Sequence, residues 1–290
     1  MTVTSRMINT SHADIAISET AGKGLPVLLL HGNSSCKEVF RHQLNGAIGE
    51  TYRVIAMDLP GHGASSDAFD PARTYNMLGY ADAAIETLGE LSIDRVAVFG
   101  WSLGGHIALE MIPRSDAVVG VMISATPPIG RTPEEIQAGY QPIPQIGLAG
   151  KPDFTAEEVE VFGAATTGYP LDPVLRQAIV RTDGRARAMM MASLFTGQAS
   201  DERKLAENSP VPIAIVNGAE DPLVNVDYVD GLAYRNLWDN HCYKLRGAGH
   251  AAFLQAPEPF NAIFMRFVAE MAKRAAHPVT GGKKSKIAAA

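Results

Sequence analysis

The chain has 290 residues, 46% of them hydrophobic and 19% charged, an ordinary mix for a protein with one large core. Its net charge of −6 argues against nucleic acid and anionic membrane as partners. The longest apolar runs, such as "VLLL" and "AVVGVMI", are far too short to cross a bilayer.

The N-terminal stretch has no basic start followed by an apolar run, so no secretory signal is read there. The two cysteines, Cys36 and Cys242, belong to no metal-spacing motif and are expected to be inert thiols in a reducing cytoplasm. "ADIAISET" (13–20) alternates in the manner of an antiparallel edge strand. Near-continuous apolar strands follow at "VLLLHG" (27–32), "RVIAMDLPG" (53–61), "RVAVFGWS" (95–102), "AVVGVMISA" (117–125), "VPIAIVNG" (211–218) and "HCYKLRG" (241–247). Amphipathic helices are predicted over 36–48, 76–91, 104–113, 227–234 and 257–274. Strand-helix alternation of this kind indicates an α/β fold whose parallel sheet is covered on both faces.

The alternation stops between residues 127 and 209. That stretch reads as short helices, "TAEEVEVFGAA", "DPVLRQAIVR" and "RARAMMMASLF", and is too long for a single crossover. The expected organisation is therefore a catalytic core of 1–126 and 210–275, a helical cap inserted at 127–209, and a disordered tail at 276–290.

"VFGWSLGGH" (98–106) sets Ser102 between Gly100 and Gly104, after a strand and before a helix. A serine held on a sharp exposed turn needs small neighbours, and that context marks a nucleophile. A serine hydroxyl requires a base. His250 in "GAGHAAF" follows the last strand in a glycine-flanked loop. His31 and His62 stand in turns they are expected to brace, and His106 lies inside the helix with its ring directed away from the hydroxyl. The base needs an acid that fixes its tautomer. Asp221, before Pro222 in "AEDPLV", is favoured over Glu220. Oxyanion donors are expected from the backbone N–H of Leu103 and of Asn33 in "HGNSS", with the Asn33 side-chain amide also contacting substrate.

In this order, "HGNSS", "DLPGHGASS", "GWSLGG", "NGAEDP" and "GAGHAAF" resemble the α/β-hydrolase superfamily over nearly the whole chain to residue 274. "YADA", "VFGWSLGGHI" followed by "TPP", "RTDGRAR" (181–187) and "NLWDN" most resemble its bacterial N-acylhomoserine lactonases. The resemblance implies an α/β-hydrolase fold and metal-independent opening of the lactone ring of quorum-sensing signals, with no cofactor. It carries the triad onto Ser102, Asp221 and His250, and the oxyanion hole onto Asn33 and Leu103. The family acid is glutamate where this chain has Asp221. Trp101, Phe162, Met190 and Phe195 are expected to line the substrate pocket with Asn33. The partner implied is a small acyl lactone or ester, and the protein is expected to be a monomer or homodimer. A general carboxylesterase or other lactonase, a cofactor-free haloperoxidase-like enzyme and a hydrolase-fold receptor for a small hydrophobic signal remain alternatives, because the triad reports acyl transfer rather than the acyl group.

Overall fold

A computed structural model describes residues 2–276. The expected tail lies, from residue 277 onward, outside the described residues; residue 276 ends the last helix. Eight strands form one sheet: β1 (Val3–Asn9), β2 (Asp14–Thr20), β3 (Gly24–Leu30), β4 (Tyr52–Met57), β5 (Val96–Trp101), β6 (Val118–Ser124), β7 (Ile213–Gly218) and β8 (Leu237–Leu245). Their order is β1-β2-β4-β3-β5-β6-β7-β8. β1 pairs antiparallel with β2 and β2 with β4, and every other pairing is parallel.

The central strands are apolar throughout because helices cover both faces; every residue of β5 and β7 is buried. β1 was not expected. It is exposed along most of its length, and its residues Thr4, Ser5 and Arg6 present no apolar run for a sequence reading to find. The helix predicted over 36–48 is broken into a 3-10 turn (Lys37–Phe40) and short helices Arg41–Leu44 and Ala47–Thr51, with Gly46 extended between them. The helix expected at 227–234 is only Val226–Asp230, and β8 begins earlier than 241.

An aromatic cluster seats the last helix, Pro257–Ala276, on the sheet. The Phe99 ring of β5 lies 5.1 Å from Phe260, 5.2 Å from Phe264 and 5.4 Å from Phe253. Trp101, two residues along the same strand face, lies 5.3 Å from Phe253. Edge-on contacts of this kind fix ring positions as well as burying area.

Between β6 and β7 the chain leaves the sheet and forms six helical segments: Pro133–Ala138, Pro144–Gly150 (3-10), Ala156–Thr167, Pro173–Arg181, Gly184–Leu194 and Glu202–Glu207. Their starts are written in the sequence. Thr132 with Glu135, and Thr155 with Glu158, form capping boxes, while Asp172, Asp183 and Asp201 cap the last three. Among the described residues, no helix is long and apolar enough to cross a membrane.

The helix Leu103–Arg114 crosses close beneath β3. A Cβ on Gly104 would stand 2.0 Å from the Leu30 carbonyl oxygen, and one on Gly100 would stand 2.2 Å from the Gly104 carbonyl oxygen. Gly89, by contrast, lies in the helix Met77–Glu90 with nothing within 4 Å of such a Cβ. Urea unfolding should therefore separate the two. Gly100→Ala is expected to lose about 3 kcal/mol or to fail to fold, whereas Gly89→Ala gains up to about 1 kcal/mol.

Candidate active site

The chemistry-bearing residues sit at the carboxyl ends of neighbouring strands, where open parallel sheets bind ligands. Ser102 follows β5 and begins the helix Leu103–Arg114, with φ +53° and ψ −119°. A non-glycine residue at positive φ carries strain, which the surroundings hold in place. The Ser102 N–H donates to the Ser124 carbonyl at 2.9 Å. Its carbonyl accepts from the Gly105 N–H and from the Thr126 hydroxyl, both at 2.9 Å. The backbone is pinned on both sides, and among the described residues no hydrogen bond holds the Ser102 hydroxyl.

His250 stands in the loop after β8 and is 3% exposed. Its Nδ1 lies 3.0 Å from both carboxylate oxygens of Asp221. Asp221 is itself immobilised, because its Oδ1 accepts the backbone N–H groups of Leu223 at 2.8 Å and Val224 at 3.0 Å. With Nδ1–H held on the carboxylate, Nε2 is left as the acceptor, the tautomer a general base requires. The Trp101 indole donates to the His250 carbonyl at 2.9 Å, and its ring meets the imidazole edge-on at 5.8 Å. Glu220 is exposed, its backbone N–H bonded to the Ala248 carbonyl.

Among the described residues, neither the Asn33 N–H nor the Leu103 N–H has an acceptor. For Leu103 this follows from its place in the first turn of a helix, where donors have no partner within the helix. The Asn33 side-chain amide gives one N–H to the Ala149 carbonyl at 2.8 Å, which ties the 3-10 segment Pro144–Gly150 to the β3 loop.

Ser34, at φ +56° and buried, donates to Asn33 Oδ1 at 3.2 Å. Its hydroxyl accepts from Arg187 at 3.2 Å. Arg187 is 4% exposed and, among the described residues, bonds no carboxylate. It donates to the carbonyls of Pro152 at 2.6 Å, Lys151 at 2.9 Å and Ile179 at 3.3 Å, and covers the Phe154 ring at 4.5 Å. Burial pulls its pKa below the ordinary guanidinium value. The sequence reading took Arg187 only as part of "RTDGRAR", because a partner made of main-chain carbonyls leaves no trace in residue types. The same motif docks on the "DLPGHGASS" loop. Arg181 donates to the Ser65 carbonyl at 2.8 Å, the Asp183 N–H to the Gly61 carbonyl at 2.9 Å, and the Tyr75 hydroxyl to Asp183 at 2.7 Å.

A cavity of about 670 Å³ opens onto Ser102 and His250. Asn33, Trp101, Leu103, Phe162, Met190 and Phe195 all contribute to its wall. Phe162 and Met190 are buried, whereas Phe195 is 58% exposed. The wall also holds His106 and Tyr140. Both nitrogens of the His106 ring are bonded to groups other than Ser102. Its Nδ1 donates to Glu202 at 2.6 Å and its Nε2 lies 3.0 Å from the Tyr140 hydroxyl. Neither Tyr140 nor Glu202 was singled out in the sequence, since no motif surrounds them. Among the described residues, no group of three or more His, Cys, Asp or Glu side chains is arranged to hold a metal ion.

A parallel sheet with a positive-φ serine in a Gly-x-Ser-x-Gly turn, and a histidine-aspartate pair at the next strand ends, defines the α/β-hydrolase architecture. The chain belongs to the alpha/beta hydrolase family, whose model matches residues 27–263. It superposes on the N-acyl homoserine lactonase AidH with a TM-score of 0.91 and 42% identity, covering 97% of this chain and 100% of that one. That structure is a glutamate-to-glycine variant with N-hexanoyl homoserine. A serine-to-glycine variant, with N-hexanoyl homoserine lactone, is also 42% identical, with a TM-score of 0.90 over 93% of this chain and 99% of the other. The pimeloyl-[acyl-carrier protein] methyl ester esterase of Nitrosospira multiformis is 25% identical over 257 residues, 86% of this chain and 96% of that protein.

His31 and His62 brace the site loops, as expected. His31 Nδ1 donates to the Gly32 carbonyl at 2.8 Å, and Nε2 accepts the Leu59 N–H at 3.0 Å. His62 Nδ1 lies 3.0 Å from the Pro60 carbonyl. Burial lowers the His31 pKa to about 4 and that of His62, with a contribution from His31, to about 3. Below the unfolded value of about 6.5 the unfolded chain takes up protons that the folded rings refuse, so stability is lost as pH falls from there. Each ring should withdraw about 2 kcal/mol by pH 5. Urea midpoints measured from pH 7.5 to 5 should fall, and a His62→Asn variant should show a shallower slope.

Proposed function

We propose that the protein is a metal-independent serine hydrolase that opens the lactone ring of N-acylhomoserine lactones. The observation that carries this reading is its 42% identity over 97% of the chain to N-acyl homoserine lactonase AidH, whose solved complexes hold N-acylhomoserines and N-hexanoyl homoserine lactone. The site supports it. His250, its tautomer fixed by Asp221, takes the Ser102 proton as the hydroxyl attacks the lactone carbonyl. The oxyanion is received by the unpaired N–H groups of Asn33 and Leu103. The ring oxygen leaves with the proton from His250. Water activated by the same ring then cleaves the acyl-enzyme to N-acylhomoserine. Residues 127–209 act as the cap, and the acyl chain lies against Phe162 and Met190, with Phe195 near its outer end. A second reading, hydrolysis of open-chain esters on the same triad, is favoured by the methyl ester esterases among the relatives.

The direct test is to incubate the protein with acylhomoserine lactones of several chain lengths and follow their masses. Gain of one water, reversed by acidification, is the expected result. Release of free homoserine lactone would instead mean amide cleavage. Turnover should survive EDTA, and loss restored by zinc would refute the mechanism.

Removing parts of the triad gives a sharper pattern. Ser102→Ala should lose several powers of ten in rate with the fold intact. Asp221→Asn should lose about four powers of ten, because His250 is left in the wrong tautomer. Asp221→Glu should retain substantial turnover, matching the acid of the family. Glu220→Gln should stay within about twofold, as expected of an exposed side chain. A lively Asp221→Asn beside an inactive Glu220→Gln would move the acid one residue back.

A further inference from the structure

The cavity wall contains a polar group that neither nucleophile nor base uses. Tyr140 bridges to Val224, and the Gln141 N–H donates to the Leu223 carbonyl at 2.8 Å, so Tyr140 is fixed beside the Asp221 loop. His106 stands about one helical turn beyond Ser102, roughly 5–6 Å along the axis. Its Nδ1 donates to the Glu202 carboxylate at 2.6 Å, a short charge-assisted bond. Nε2 is then the acceptor of the ring, and the Tyr140 O–H donates to it at 3.0 Å. The Tyr140 oxygen keeps its own lone pairs, and among the described residues nothing donates to them.

Other polar side chains on this wall are each tied to the main chain by one hydrogen bond. The Asn33 amide is bonded to the Ala149 carbonyl, the Gln141 amide to the Val224 carbonyl and the Thr166 hydroxyl to the Phe162 carbonyl. Gln137 is exposed and Gln145 half-exposed. Tyr140 therefore offers an oriented acceptor in a largely apolar wall, and an oriented acceptor selects an N–H donor. In an N-acylhomoserine lactone the amide nitrogen is bonded to the carbon next to the reacting carbonyl, so a carbonyl seated at Ser102 holds that N–H inside the cavity whose wall carries Tyr140.

We infer that the Tyr140 oxygen, oriented by His106 and Glu202, accepts the amide N–H of the substrate and makes the enzyme selective for esters and lactones that carry an acylated α-amino group. The inference rests on the lactonase reading for the ring, but not for the amide. It predicts discrimination against isosteres in which oxygen replaces the N–H, since these present a lone pair where a donor is required.

The experiment uses two such pairs. One is N-hexanoyl homoserine lactone with α-hexanoyloxy-γ-butyrolactone, and the other is N-hexanoylglycine methyl ester with methyl hexanoyloxyacetate. The quantity read is the preference for the N–H member over its oxygen isostere in kcat/KM and in KM. Tyr140→Phe should reduce that preference about tenfold, mainly through KM. His106→Asn, which can still donate to Glu202 but is too short to reach Tyr140, should reduce it in the same direction by less. A preference within about twofold of the wild-type value in Tyr140→Phe, or equal loss on both members of a pair, overturns the inference. If the wild-type protein cleaves the open esters and neither lactone, the lactonase reading fails while the open pair still decides the role of Tyr140.

Discussion

The whole site depends on how closely two backbones approach. The helix that begins at Ser102 can pass under β3 only because Gly104 presents no Cβ to the Leu30 carbonyl, which would lie 2.0 Å away. That approach sets the turn that puts Ser102 at φ +53°, and the turn directs the Leu103 N–H outward from the start of the helix. It also brings the β3 loop, with Asn33, alongside the same point. The Ser102 side chain and the N–H groups of Asn33 and Leu103 are thus placed by steric contact among main-chain atoms, and little depends on flexible side chains. The strain at Ser102 is tolerated because the flanking hydrogen bonds to Ser124 and Thr126 leave it no relaxed alternative.

Around this fixed point the other groups are supported from more than one side. Asp221 receives two backbone N–H groups as well as His250, so its carboxylate cannot rotate without breaking several bonds. The imidazole is supported from β5 by Trp101, whose ring belongs to the aromatic cluster that seats the last helix. Packing in the core and orientation of the His250 ring are in this way one mechanical unit.

Much of this was legible in the sequence, for identifiable reasons. Buried parallel strands must be apolar on both faces, so β3 to β7 read as runs, and the Gly-x-Ser-x-Gly turn names its own geometry. The capping residues of the 127–209 segment also announce helices, as Thr155 and Glu158 do. What could not be read was set by tertiary partners. β1 is solvent-facing and carries no hydrophobic pattern, and the helix expected over 36–48 breaks at an extended Gly46. The bond from the Asn33 amide to the Ala149 carbonyl joins residues more than a hundred positions apart, and no local pattern announces it. His106, Tyr140 and Glu202 come together from three separate segments, and no local spacing links them.

Arg187 shows how such a site can diversify. Three of the oxygens it binds are main-chain carbonyls, those of Lys151, Pro152 and Ile179. A carbonyl is present whatever side chain the residue carries, so substitutions at these positions can drift while the guanidinium keeps its grip. The side chains at these three positions are therefore free to change chemistry without releasing Ser34 and the loop it steadies. Insertions and deletions are a different matter, since a shifted backbone takes its carbonyl with it and leaves a buried cation short of acceptors. Across descendants of this chain, length between residues 151 and 187 should be more tightly restricted than composition.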